Sequence, residues 1–496
     1  MILKKYFDNP FILSNKSVSA MRIAVALCLL IDLLIRSTDL EAHYSDRGVL
    51  PLELLFQYGW LPSYFSIYNI FNSPFLIGVV FAIHIVAALS LLLGYKTRWS
   101  SLFAWILLVS LHNRNHLVHQ GADDLLRMLL FWGIFLPWGN HFSIDSKLTN
   151  SHQSEKKFSS IATAGYIFLV FSMYFFSALL KNGADWTKDF SALYYAYQLD
   201  MIVLPLGKWL STNYTLLQTL TFITYYIELV LPFVLFIPLV SNYFRYLFLL
   251  IIIGLHIGIS STLFVGIFPL VSICALVGLA PEEFWNTKWI VRISNFARFG
   301  LINKIAHYFT IPPKDNNIGY YNKNVKLKNT LITWCLGFLL FLSTYKNYEG
   351  VGEYEIKFLN IFNPIVEFLR IDQRWGMFAP IVFRDDGWFI FEGTTIQEKK
   401  QIDIYNQGNV INYNKPESVV SKVKNDRWRK YQENILFVSQ NIFRPKYCQW
   451  LIKSWNQGCK PNQQIYQLKI IYIKEVSKPD YKSGETSKEV LCDCVF

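Results

Sequence analysis

The sequence predicts an all-α membrane bundle of about nine transmembrane helices followed by a C-terminal α+β extracytoplasmic domain. Three observations carry that expectation. The chain of 496 residues is 53% hydrophobic and only 17% charged, with a mean hydropathy of +0.26, whereas soluble domains are about a quarter charged. Its apolar residues are gathered into long runs between positions 20 and 345. The tail from Lys346 to Phe496 has ordinary soluble composition. The membrane domain is therefore assigned to 1–345 and the polar domain to 346–496.

A helix needs about 20 mostly apolar residues to cross the hydrocarbon core. Nine segments qualify or come close: 18–37, 74–94, 99–112, 124–138, 159–181, 214–240, 245–263, 265–280 and 329–345. The third, fourth and eighth are short. The stretch 245–280 reads either as two spans with a tight turn near Phe264–Gly266 or as one long broken span. The opening MILKKYFDNPFILSNKS lacks the small-residue cleavage site of a secretory signal, so the first apolar run is expected to be a retained span. Segments 52–72 and 190–210 are amphipathic and aromatic, the pattern of helices lying at the headgroup level.

Loop charge sets direction. Lys4, Lys5 and Lys16, then Lys96 and Arg98, then Lys147, Lys156 and Lys157, and finally the Lys/Arg-rich loop 281–328 fall on one side. Basic loops stay cytoplasmic, so the N-terminus is expected inside a cell (inner) membrane and the C-terminal domain outside. The formal net charge of +12 is accounted for in this way and calls for no nucleic-acid partner.

Polar residues in a bundle mark function or pairing. His112, Asn113, Asn115, His116 and His119 follow the third segment, Lys181 ends the fifth, and His256 lies in the seventh. With this topology the residues after the third segment and Lys181 converge on the outer end of the bundle, and His256 lies deeper. Each also has a structural reading. A lysine at a span end snorkels, an intramembrane histidine packs through a hydrogen bond, and Asn-rich surroundings suit a solvated loop. The spacings His112/His116 and His116/His119 place imidazoles on one helix face, but no HExxH or other metal motif accompanies them, so no metal is assigned. Arg22, Asp32 and Arg36 read as internal ion pairs, with Asp32 and Arg36 sharing a face at a spacing of four, and Glu228 and Arg127 are candidates for the same role. Walker A, GxGxxG, GxSxG and CxxC motifs are missing, which leaves nucleotide-driven transport and hydrolase chemistry without support.

In the tail, strand-like runs such as WFIFEG and QIYQLKIIYIKEV alternate with expected turns at Asp385–Gly387, Asn406–Gly408 and Asn456–Gly458, while 417–456 is helical in part. The domain is expected to rest on the outer face of the bundle, against headgroups or as a lid over its mouth. No cysteine group has zinc-finger spacing. Cys492 and Cys494 are too close for an easy mutual disulfide, so Cys448–Cys459 is the expected pair.

Residues 18–345 resemble the HTTM domain, the membrane region of vitamin K-dependent γ-glutamyl carboxylases and related bacterial proteins. The resemblance is carried by RSTDLEAHYSDRGVLP (36–51), HNRNH (112–116), YFFSALLKNGADWTKDFSALYYA (174–196) and HIGISSTLFVGIFPLVSICALVGLAPEEFW (256–285), in that order. QRWGMFAPIVFRDDGWF (373–389) and RWRKY (427–431) resemble the extension common in bacterial members. The resemblance implies that Lys181 is the base that deprotonates a vitamin K-type hydroquinone. It also implies that Asn115 and His116 form the asparagine–histidine pair near the carboxylation centre, with His112 and His256 lining the substrate or cofactor site. The animal enzymes carry a second lysine where this chain has Leu180, and no propeptide-binding region is recognisable in 346–496.

The implied chemistry answers a physical problem. A glutamate γ-proton is too weakly acidic for any side-chain base, and oxidation of the hydroquinone in a dry site supplies a much stronger alkoxide. The lysine starts this only when neutral, a form that burial favours. The expected cofactor is a reduced vitamin K-type quinone (menaquinol in a bacterial chain), and the expected partners are a secreted peptide or protein substrate and membrane lipid. Alternatives are a non-catalytic maturation or export factor for a secreted peptide, or a lipid- or quinone-binding scaffold.

Overall fold

The computed structural model describes residues 9–148, 156–238, 240–287, 323–352, 355–478 and 485–495. Lys4, Lys5 and most of the basic 281–328 loop lie outside them. Helices cover all nine expected segments, but among the described residues five are long and apolar enough to cross a membrane: α1 (Asn15–Ser37), α2 (Pro74–Leu93), α5 (Ile161–Leu180), α6 (Tyr214–Val230, extended by a 3-10 turn to Phe236) and α7 (Ser241–Thr262). Between them lie α3 (Thr97–Arg114) and α4 (Gly121–Gly133), and α8 (Phe268–Leu276) and α9 (Lys323–Val351) follow. At 18, 13 and 9 residues, α3, α4 and α8 fall short of a full crossing or barely reach one.

Burial separates the helices into two groups. The apolar window of α5 is 72% buried and that of α1 56%, whereas α6 and α7 bury 22% and α2 33%. Side chains such as Phe75, Val86 and Leu250 are 77%, 61% and 73% exposed. Apolar area on that scale is untenable in water and needs hydrocarbon. The chain is a membrane protein, with α5 at the centre, packed on α4, α6 and α9. Ser160 starts α5 by accepting from the Thr163 amide at 3.3 Å, while its own amide donates to Thr163 Oγ1 at 3.0 Å. Gly94 ends α2 at φ +69°, where a Cβ would come within 1.7 Å of Arg22 Nη1.

Segments 52–72 and 190–210 are broken into pieces of seven residues or fewer, Leu52–Tyr58, Ile67–Ile70, Ala192–Ala196 and Pro205–Leu210, each too short to cross. The 245–280 stretch forms two helices with a turn at Gly266, which sits at φ +64°. A Cβ there would lie 2.0 Å from Asp426 Oδ2, so only glycine lets the C-terminal domain approach this closely.

That domain is α+β. An antiparallel sheet in the order β2-β1-β3-β4 combines β1 (Asp385–Thr395), β2 (Gln401–Asp403), β3 (Ile465–Val476) and β4 (Thr486–Val495). Helices α10 (Asp426–Leu436) and α11 (Arg444–Gly458) belong to the same domain, and α11 packs on β3 and β4. Alternation splits the sheet. Phe391, Leu468 and Ile470 join the core that holds Tyr431 and Tyr447, whereas Trp388, Ile390, Ile471 and Ile473 pack with Tyr194 and Ile202 of the bundle loops. The sheet thus lies between its own helices and the membrane domain. Two expected turns were misplaced: Asp385–Gly387 opens β1, and Asn456–Gly458 ends α11. Both sequences carry turn residues, but tertiary pairing overrides that preference.

Domain contact is also ionic. Asp386 accepts from the Asp200 amide at 2.7 Å, and Lys415 reaches Asp200 at 2.5 Å and Glu475 at 2.7 Å, with Lys208 at 2.9 Å from Asp200. Burial, and next the Asp200 carboxylate, push Asp386 up to about 7 from 3.8. A carboxyl raised on folding contributes stability that is whole below 3.8 and lost as pH rises through about 7. The melting temperature is therefore expected to fall across that window, and Asp386→Asn should flatten the slope. An unchanged slope in Asp386→Asn, read by thermal melts in detergent, would rule the group out.

Candidate functional site

Two buried polar clusters occupy the bundle. The first gathers at one end of α1, α3 and α4. Arg36 Nε donates to Asp32 at 2.8 Å on the same helix, and its Nη2 reaches Asp123 of α4 at 2.6 Å. Arg427 of α10 enters from the C-terminal domain. It binds Asp32 at 2.5 Å, both Asp123 oxygens at 2.7 and 2.9 Å, and the Val118 carbonyl at 2.9 Å. Two carboxylates and two guanidiniums, each at most 2% exposed, thus neutralise one another. Beside them Arg127 pairs with Asp124 at 2.6 Å and donates to the carbonyls of Arg370 and Asp372 at 2.7 and 2.9 Å. Arg370 in turn hydrogen-bonds Asn113.

The expected histidine face is rearranged. Helix α3 ends at Arg114, because Asn115 turns its side chain to accept from the Leu117 amide at 3.0 Å and to donate to the His43 carbonyl at 2.8 Å. His116–Val118 is a 3-10 turn, so His116 leaves the helix and lies against Gly59 and the Phe443 ring, 5.8 Å away. Its Nδ1 is buried without a partner, and burial above all pushes the group down to about 4. His112 and His119 meet instead, with ring centres 5.0 Å apart, and His119 bonds Asp124 at 2.9 Å. Ligating atoms of His112, His119 and Asp123 fall within 4.8 Å of one another. Asp123 is nevertheless already bracketed by Arg36 and Arg427, and two guanidiniums oppose a further cation. Arg22, expected in an ion pair, donates to the Phe142 carbonyl at 2.6 Å.

The second cluster is built on α5. Lys181 caps this helix, its amide bonded to the Ala178 carbonyl at 3.1 Å, and its side chain folds inward to 4% exposure. The ammonium donates to Ser177 Oγ at 3.1 Å, pairs with Glu228 of α6, and lies 4.8 Å above the Trp186 ring. On the same face of α5, Tyr174 Oη bonds His256 Nε2 of α7 at 2.8 Å, while His256 Nδ1 is buried without a partner. Lys181 therefore does not snorkel. The segment QRWGMFAPIVFRDDGWF covers this end: Trp186 Nε1 donates to the Phe378 carbonyl at 2.8 Å and the Gly183 amide to the Pro380 carbonyl at 3.1 Å.

Of the expected site residues, the structure brings Lys181 together with Glu228 and places His256 one bond from the same helix face. His112, Asn115 and His116 belong to the first cluster, and Lys181 and His116 share no hydrogen bond, ion pair or ring contact among the described residues. Between the clusters, Phe268 lies 5.8 Å from His256 by ring centres and, with Met377, against Gly121 at the start of α4. Arg427, Asp123, Asp124 and Arg370 escaped the sequence reading. The i,i+3 pair Asp124/Arg127 was a usable signal, but nothing local ties Arg427 to Asp32, 395 positions away.

A family model described as the HTTM domain covers residues 13–285, which is more than half of the chain. No curated protein and no solved structure matches.

Proposed function

The chain belongs to the HTTM domain family, found in vitamin K-dependent carboxylase-like membrane proteins, and from that premise we propose that it is a quinone-dependent enzyme that modifies, by carboxylation, a secreted peptide or protein. The observation that supports this reading best is Lys181, buried in the bundle beside a single carboxylate and not extended to the surface.

The residues fit a quinol. Lys181 Nζ and Ser177 Oγ offer polar contacts for a ring oxygen. About two to three turns back along α5 from Lys181, Phe175 and Phe171 form an apolar cluster with Phe233, at ring separations of 5.0–5.2 Å. When bound, a reduced vitamin K-type quinone would supply the oxidative route to a base stronger than any side chain. The chain's own work is then to hold the quinol, to take its hydroxyl proton at Lys181 Nζ, and to keep water out. Glu228, hydrogen-bonded to Lys181 Nζ, is the group placed to receive a proton from it. Trp186 and the segment over it exclude solvent from that end.

The placement of the C-terminal domain outside the cell accords with its Cys448–Cys494 disulfide, a bond of oxidising compartments. Reporter fusions after Lys346 should behave as extracytoplasmic and those within 139–158 as cytoplasmic, and the opposite pattern would overturn the topology.

The activity test uses the full chain in lipid nanodiscs with menaquinol, oxygen, labelled bicarbonate and a synthetic Glu-rich peptide. The peptide should gain the mass of labelled carbon dioxide. A peptide that is bound but never gains this mass favours a second reading, a non-catalytic maturation or export factor. That reading draws on the partners the Lys181 ammonium already holds.

A further inference from the structure

The C-terminal domain carries three cysteines whose sulfur atoms, in Cys448, Cys492 and Cys494, all lie within 4.8 Å of one another. The bond joins Cys448 to Cys494, and not to Cys459 as spacing had led us to expect. The sheet explains the trio. On β4, Cys494 stands opposite Leu468 and Cys492 opposite Ile470, whereas Val490 stands opposite Ile471. Cys492 and Cys494, two positions apart in regular register, share one face of β4, and the register shift at Leu491 begins only beyond Cys492. That face meets α11, which carries Cys448. Cys448 is fully buried, while Cys492 and Cys494 are half-buried on an edge strand.

We propose that Cys448, Cys492 and Cys494 form a thiol–disulfide exchange site, in which the bond isomerises between Cys448–Cys494 and Cys448–Cys492. The Cys492 thiol loses its proton to solvent, and its thiolate attacks Cys448 Sγ. The Cys448–Cys494 bond breaks as the Cys448–Cys492 bond forms, and Cys494 leaves as a thiolate that takes up a proton. No electron is gained or lost, so no oxidant is needed. In both isomers the buried sulfur stays bridged, and the free thiol alternates between two half-buried positions at the sheet edge. The substrate class is accordingly a cysteine thiol or disulfide on the side of the membrane where this domain lies. Burial, and next Asp493, hold the Cys492 thiol above its ordinary range, with Arg444 acting against them. Exchange should therefore quicken by about tenfold per pH unit at and above neutrality.

The test pulses the full-length protein in nanodiscs with N-ethylmaleimide over a pH series, quenches with acid, and maps bridged and labelled peptides by mass spectrometry. Two populations are expected: one labelled on Cys492 with Cys448–Cys494 bridged, the other labelled on Cys494 with Cys448–Cys492 bridged. Cys492→Ser should lose the second population entirely, and Cys494→Ser should form the Cys448–Cys492 bond in oxidised glutathione. Wild-type protein labelled on Cys492 alone at every pH would overturn the proposal. So would a folded Cys494→Ser protein whose Cys448 stays reduced.

Discussion

Replacing Arg427 with Ala is expected to destabilise the protein by about 3–5 kcal/mol and to release the C-terminal domain from the bundle. The side chain is 2% exposed and supplies four hydrogen bonds, to Asp32, to both oxygens of Asp123 and to the Val118 carbonyl. Without it, Arg36 faces two carboxylates alone. The cost arises less from the lost attraction than from leaving a buried charge uncompensated. Arg427→Lys should recover little, because a lysine ammonium cannot reproduce a guanidinium fork that spans two carboxylates. A paired change, Arg427→Gln with Asp32→Asn, keeps the cluster neutral and should recover most of the loss. Thermal melts and limited proteolysis within 370–425 read both effects, and an Arg427→Ala protein that melts like wild type would contradict the assignment.

The second large effect concerns Glu228. Glu228→Leu leaves the Lys181 ammonium buried with Ser177 and the Trp186 ring alone, at a cost of about 3–5 kcal/mol. Lys181→Met with Glu228→Leu should restore stability, since well-packed apolar groups commonly match a buried pair. Stability and activity then separate. The double variant should fold and be inert, whereas a purely structural pair would leave peptide modification intact in it. Activity retained by that variant would remove Lys181 and Glu228 from the chemistry.

What the sequence made legible follows from physics that is local along the chain. Apolar runs located all nine helical segments, because length and hydropathy are properties of a contiguous stretch. The pairing of Asp32 with Arg36 was readable for the same reason, four positions being one helical turn. Partners brought together by the fold were not readable. Lys181 and Glu228 were each singled out, yet their contact depends on how α5 packs on α6. The histidine spacing misled because the helix ends at Arg114, where the Asn115 side chain takes over capping. The disulfide was misassigned because only the lie of β4 along α11 reveals that Cys494 faces Cys448.

The measurement that bears most directly on the central claim compares wild type with Lys181→Arg in the menaquinol-driven peptide assay, after matched melts show that both are folded. Arginine keeps the positive charge and the pairing with Glu228 but does not lose its proton near neutral pH, so it cannot serve as a base. The account predicts that the peptide gains the mass of carbon dioxide with wild type and that the rate falls at least about a thousandfold with Lys181→Arg, within the range general-base catalysis supplies. Equal mass gain from both proteins would contradict it.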